Sequence, residues 1–205
     1  MERNGRCRGA RAVSRLAAMQ EMGPDEVEAR LGARARVVRA GRGEVPAAVL
    51  VPLLRRDGAA HVMLTLRQAA MRRHGGQFAF PGGRRDEGDR DAVHTALREA
   101  HEEVGLDPAA VRVLGMLDDH STSTGFVVTP VVGWIPSGLR YRLSEDEVAQ
   151  VVELPLAAFS ALPRARTVAA QGHRRIVLPF EVQGHLVWGA TAAMLRELAA
   201  RLAAR

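Results

Sequence analysis

Between Gly82 and Leu106 a glycine pair is followed by a stretch whose apolar and acidic residues separate at helical spacing. A helix from about Asp91 to Val104 advances about 100° per residue, which collects Val93, Ala96, Leu97, Ala100 and Val104 on one apolar face. The same spacing sets Glu99, Glu102 and Glu103 (i, i+3, i+4) together on the opposite side, where their mutual repulsion weakens a bare helix. A hard divalent cation, Mg²⁺ or Mn²⁺, turns that cost into a binding site, because such ions prefer carboxylate oxygens. Taken alone, the triplet reads more readily as a solvated acidic face.

The rest of the chain reads as strands with helices at either end. Pro24-Asp25-Glu26-Val27 starts a helix towards Leu31, with proline in its first turn and acids at its N-terminus. Gly41 to Glu44 reads as a linker. Ala47 to Leu54 and His61 to Arg67 are apolar, β-prone runs joined by an Arg-Asp-Gly turn at 56 to 58. Val111 to Leu117, Phe126 to Ile135, Arg175 to Val182 and His185 to Val187 are further strands, the last two flanking a Gln183-Gly184 turn. Ala190 to Ala204 closes as a helix with Ala193, Leu195, Leu198 and Leu202 near one face. Mixed strands with helices on two sides predict an α/β/α sandwich around a mixed β-sheet. A chain of 205 residues suffices for one well-cored domain with an appendage, expected as a basic N-terminal extension at 1–43 and a single domain at 44–205.

Charge narrows the partners. All 29 basic residues are arginine and the formal net charge is +6, so the surface attracts anions such as nucleotides, phosphorylated cofactors or RNA. RNA recognition relies on aromatic platforms as well, and no Phe, Tyr or Trp precedes Phe78; no nucleic-acid partner is expected. No apolar run approaches bilayer length, so no membrane partner is expected either. Cys7 is the sole cysteine, which excludes an internal disulfide or a cysteine metal cluster and fits a reducing cytoplasm. The Arg/Ala-rich residues 1–20 are also compatible with an organellar transit peptide. A homodimer is left open.

The residues of this region resemble the box of the Nudix hydrolases, G-x5-E-x7-R-E-U-x-E-E-x-G-U with U a bulky aliphatic. Gly83, Arg98-Glu99, Glu102-Glu103, Gly105 and Leu106 fall in the required order. Three positions depart: Asp89 stands for the first Glu, eight residues rather than seven separate it from Arg98, and Ala100 fills an aliphatic slot. These departures look like the coenzyme A diphosphatase branch, as does the run Thr95-Ala96-Leu97-Arg98-Glu99-Ala100. That branch carries a second motif upstream, L-L-T-x-R-[SA]-x3-R-x3-G-x3-F-P-G-G, matched by Leu64, Thr65, Arg67, Arg72, Gly76 and Phe80-Pro81-Gly82-Gly83, with Met63 and Gln68 as replacements. Val128 to Gly133 and Trp188 to Ala192 are similar to it too. The resemblance spans about Pro46 to the C-terminus.

The resemblance implies metal-dependent hydrolysis of a pyrophosphate joined to another moiety. Glu102 and Glu103 would be principal metal ligands, Glu99 a ligand or the general base, and the Gly82-Gly83 turn would bring a backbone carbonyl, that of Gly83, to the metal. Arg98 would orient a box carboxylate. Glu147, in the acidic run Glu145 to Glu147 ahead of a strand-helix segment, is a second candidate base. Arg67 and Arg72 would bind phosphates of coenzyme A, and Asp89 is a further metal-side candidate. Phe78 and Phe80 read as core, His74 and His101 as surface, Asp86 and Glu87 as solvated. Two alternatives remain: a Nudix diphosphatase for ADP-ribose or nucleoside triphosphates, and a non-catalytic ligand-binding module on the same scaffold.

Overall fold

A computed structural model describes residues 18–39, 43–70, 75–161, 164–170 and 173–204. Helix α1 spans Pro24–Gly32. Strands β1 (Val45–Arg56) and β2 (Ala59–Arg67) form a hairpin. Its two-residue turn, Asp57-Gly58, has positive φ at both positions (49° and 78°), the geometry whose twist suits a tight hairpin. Next come β3 (Phe78–Ala79), β4 (Gly82–Arg84) and helix α2 (Ala92–Val104). Strands β5 (Arg112–Met116), β6 (His120–Ser121), β7 (Phe126–Trp134) and β8 (Val148–Pro155) complete the main sheet. Two small hairpins, β9–β10 (Arg166–Ala170, His173–Val177) and β11–β12 (Phe180–Val182, His185–Val187), precede the closing helix α3 (Gly189–Ala203).

The architecture is an α/β/α sandwich, and β1 makes it so. Buried on both faces, β1 alternates strictly: Ala48, Leu50 and Leu54 pack with α2 residues Ala96, Ala100 and Val104. Val51 and Leu53 instead join Val27 and Leu31 of α1 and Leu195, Leu198 and Leu202 of α3. On its other side β1 runs parallel to β7, whose Val131 faces the α2 core while Val128 and Val132 face the opposite one. The remaining described pairings are antiparallel, which makes the sheet mixed.

The hairpin splits as it leaves its turn. Leu53 to Arg56 pair with β2, but Ala47 to Val49 pair with β4. Between the two, the Leu50 N–H donates to the Pro81 carbonyl at 2.9 Å. Strand β2 meanwhile takes β3 at Thr65-Leu66 and is covered along His61 to Arg67 by β8. The segment Phe78 to Arg84 is thereby wedged into the sheet, with its glycines under α2.

Helix α2 matches the expected span to within a residue. Asp91 caps it by accepting the His94 N–H at 2.8 Å, and Gly105 ends it at φ 69°. One expectation is overturned: the single strand from Arg175 to Val182 is two strands, broken at Leu178-Pro179, where proline removes a ladder donor. Among the described residues no helix is long and apolar enough to cross a membrane.

Candidate active site

Two glycines let the loop approach its neighbours closely. A Cβ on Gly82 would collide with the backbone of Ala48 and Val49, so this position is bound to the sheet. A Cβ on Gly83 would instead lie 2.5 Å from Glu99 Oε1, inside the space that carboxylate occupies. The glycine pair is thus a seat for Glu99 as well as a bend.

The three glutamates do not share one environment. Glu103 is 2 % exposed and packs at the edge of the apolar face, not opposite it as the spacing argument expected. Only about 60° separates it from Ala100 around the helix, which explains the burial. Its Oε2 has no hydrogen-bond partner among the described residues. Burial pushes its carboxyl up to about 8; Glu147 and Glu99 push the same way, while Arg67 and the Gly82 N–H oppose them. Glu99 is also raised, first by burial, against the pull of Arg98 and with help from Glu102 and Glu147. Glu102 stands at the solvent edge.

Arg98 ties the group together. Its Nε and Nη2 grip the two oxygens of Asp89 at 3.1 and 3.0 Å. Nη1 donates to Glu102 Oε2 (2.9 Å), while Nη2 also lies 3.0 Å from Glu99 Oε1 and donates to the Arg84 carbonyl (3.2 Å). Asp89 is buried and further held by His94 Nδ1 at 2.8 Å and the Asp86 N–H at 3.0 Å. Arg98, above all, keeps its carboxyl well below the usual range. With both oxygens engaged, Asp89 anchors the arginine and offers no oxygen to a cation. The His94 contact had no counterpart in the sequence reading.

Residues far along the chain close the cluster. Arg67 ends β2, where its pairing partner is Val148 of β8, and its Nη1 lies 3.7 Å from Glu103 Oε1. Glu147 precedes that strand and is fixed by its backbone: its carbonyl accepts the Gln68 N–H at 2.9 Å, and Ser144, which bonds Glu103's carbonyl, accepts its N–H at 3.1 Å. Glu99, Glu103, Arg67 and Glu147 therefore converge, although Arg67 and Glu147 stand 80 residues apart in sequence. Arg72 and His74 lie outside the described residues.

Among the described residues no three His, Cys, Asp or Glu side chains are gathered closely enough to hold a metal ion as a cage. The donor set fits an open one. A buried carboxylate oxygen without a partner, a second carboxylate seated against glycine and a third at the solvent edge are all hard oxygen donors. Mg²⁺ is held by one or two carboxylates and keeps several waters, so such a site suits it.

From Arg67 and Gly82 a cleft of about 670 Å³ opens on the opposite face of the sheet. Its walls include Phe78, Phe126, His120, Thr122, Thr124, Trp188 and Thr191, a size and lining suited to a nucleotide-sized ligand. His120 is half-buried, and that burial foremost lowers its pKa, favouring the neutral imidazole. Phe80 is core as expected and half-buried Phe78 packs against the same cluster; both rings also line the cleft, Phe78 edge-on to His185 at 5.0 Å. Sequence reasoning noted Trp188 to Ala192 only as a motif and passed over the hydroxyl run Ser121 to Thr124, which was the available signal.

A family model described as the NUDIX domain matches residues 44–178. The chain belongs to the Nudix family. Proteins described as "Uncharacterized Nudix hydrolase NudL" are close in sequence to it. That of Enterobacter sp. (strain 638) is 47% identical over 158 residues, covering 76% of this chain and 82% of the relative. That of Cronobacter sakazakii is 45% identical over 172 residues, covering 82% and 88%. A solved Nudix hydrolase from Alicyclobacillus acidocaldarius aligns with 78% of this chain and 93% of its own at 20% identity and a TM-score of 0.48. The Nudix match begins one residue before β1 and contains α2 whole, with the glycine pair, Arg67 and Glu147.

Proposed function

We propose that this Nudix hydrolase cleaves the pyrophosphate of coenzyme A or its derivatives, giving 3′,5′-ADP and 4′-phosphopantetheine or its acylated form. The observation that carries the reading is the place of Arg67. It belongs to the upstream motif, stands at the mouth of the cleft, and lies 3.7 Å from the buried Glu103. A guanidinium there meets a diphosphate entering from the cleft with a planar pair of donors.

Glu102, Glu103 and the Gly83 carbonyl, with Glu99 where it is not the base, would hold Mg²⁺ or Mn²⁺, which when bound acidifies water and neutralises phosphate oxygens. Glu99 takes the proton of the attacking water; a base whose pKa is raised towards neutrality suits that task. Glu147 is the second candidate for it. Arg98 positions Glu99 and Glu102 from its Asp89 anchor, and Arg72 is the second phosphate-binding arginine. The water's hydroxyl goes to one phosphorus and its proton ends on the phosphate that leaves.

Chromatographic separation of products from coenzyme A, with Mg²⁺ present, tests the reading. Adenosine 3′,5′-bisphosphate and phosphopantetheine are expected, and Glu102→Gln is expected to lose nearly all turnover with its fold intact. ADP-ribose or a nucleoside triphosphate cleaved faster than coenzyme A would replace the substrate and spare the chemistry. Ligand binding in Mn²⁺ without phosphate release would replace the enzyme by a binding module.

A further inference from the structure

We propose that residues Arg34 to Arg39, which precede the Nudix match, form a strap that fixes one wall of the cleft and so sets substrate affinity, with Asp119 as the positioning residue through which it acts. This rests on the cleft being the substrate's seat and not on coenzyme A being the substrate.

The strap is held by polar contacts. Val37 and Val38 are 48% and 64% exposed, so apolar burial does not fasten the segment. Its backbone instead runs beside Asp118-Asp119: the Asp119 N–H donates to the Val37 carbonyl at 3.0 Å, and the Val37 N–H to Asp118 Oδ1 at 2.7 Å. Asp119 is 4% exposed. Its carboxylate accepts from the Arg39 N–H (2.9 Å), Arg36 Nη1 (3.0 Å) and the Thr129 hydroxyl of the central strand β7 (2.8 Å). Arg39 Nε returns to the Asp119 carbonyl at 2.9 Å. One buried carboxylate thus joins the strap to the sheet, and a buried charge hydrogen-bonded on this scale holds position strongly.

The next residues are the cleft wall. His120 and Ser121 pair with Val128 and Val127, and the turn that follows closes through Thr122, whose N–H donates to the Phe126 carbonyl at 2.8 Å. The turn's far end is tied back to the start of β1, where the Val45 N–H donates to the Gly125 carbonyl at 2.9 Å. Residues 34–39 and Val45 therefore grip residues 119 to 125 from either end. Arg67, Glu99 and Glu103 make none of these contacts, so loosening the wall should weaken binding and spare the chemical step.

The experiment compares the parent with Arg36→Ala/Arg39→Ala and with Asp119→Asn, using whichever diphosphate the parent cleaves, so that failure of the coenzyme A reading leaves the comparison intact. If the variants leave the wall competent about a tenth of the time, KM rises roughly tenfold, with kcat and the Mn²⁺ affinity of the metal-loaded protein unchanged. Amide exchange in the same proteins should quicken in residues 120–126 and stay at parent rates in 92–104; Arg36→Lys/Arg39→Lys should recover part of the affinity. An unchanged KM, a fall in kcat at constant KM, or exchange that quickens throughout the chain would overturn the inference.

Discussion

Arg67 Nη1 lies 3.7 Å from Glu103 Oε1, joining the end of β2 to the buried edge of α2 across the mouth of the cleft. That one cation faces a carboxylate whose other oxygen has no partner, so Glu103 is only half compensated.

The imbalance has a pH signature in the metal-free protein. The Glu103 carboxyl is raised from 4.5 to about 8, so between those values the native state keeps a proton that the unfolded chain has lost. Stability from this group is fully present below about 4.5 and is lost as pH rises through about 8. Glu103→Gln removes the charge while keeping the shape. Urea unfolding in EDTA should find it more stable than the parent at pH 9 by about 1–3 kcal/mol, the cost of an unsatisfied buried group, and near parity at pH 4. Equal parent–variant differences at both pH values would refute the buried charge.

Binding a cation requires that same proton to leave. Mn²⁺ affinity should therefore climb from pH 6 to about 8, the value to which Glu103 is raised, and level off above it. Calorimetry in two buffers of different ionisation enthalpy should record net proton release near neutral pH, absent in Glu103→Gln. Chelation should abolish turnover. Affinity that does not vary over this range would separate Glu103 from the metal.

Much of this was legible from local pattern. The span of α2 follows from its apolar spacing with Asp91 and Gly105 at its ends, and the β1–β2 hairpin from two β-prone runs around Asp57-Gly58. Other parts were not, because they depend on tertiary neighbours. Helical spacing located the glutamates but not the boundary of the buried face, which depends on β1 and β4 packing against α2. Strand β8 was read only as the start of a strand-helix segment behind Glu147, without bounds, because its alternation is diluted by Ala149, Gln150 and Glu153 and it gains its place by pairing with β2. The Arg175 to Val182 run was read as one strand because its apolar content masks the break at Pro179. Asp89 read in sequence as a further metal-side candidate; its role as an anchor depends on Arg98 folding back across nine residues.

Arg98 is the residue whose conservative replacement should be least tolerated. Arg98→Lys keeps a charge but cannot grip both Asp89 oxygens while reaching Glu99 and Glu102. A drop in kcat of about 10- to 100-fold is expected, the usual cost of losing a group that orients ligands. Arg98→Ala leaves the buried Asp89 without its main partner and should cost about 3–5 kcal/mol in urea. The Asp89 contribution is fully present above the ordinary carboxylate pKa and is lost as pH falls below it towards the depressed value, since Arg98 holds that group low. The stability gap between Arg98→Ala and the parent should accordingly shrink in acid. A gap that grows there would place the stabilisation elsewhere.

The two loop glycines should fail in different ways when each gains a methyl group. At Gly82 the added Cβ meets the Ala48 carbonyl and Val49 Cα, backbone that cannot yield without parting β1 from β4. Gly82→Ala should therefore destabilise the fold by about 1–3 kcal/mol or more, in the manner of overpacking. At Gly83 the obstacle is the Glu99 carboxylate, the end of a rotatable side chain that can swing aside. Gly83→Ala should melt within a few degrees of the parent, yet lose about 10- to 100-fold in kcat because Glu99 is displaced from its seat. Thermal melts beside steady-state rates distinguish the two. If Gly83→Ala kept parent kcat, the glycine would serve only the turn, and the case for Glu99 as the base would lose its geometric support.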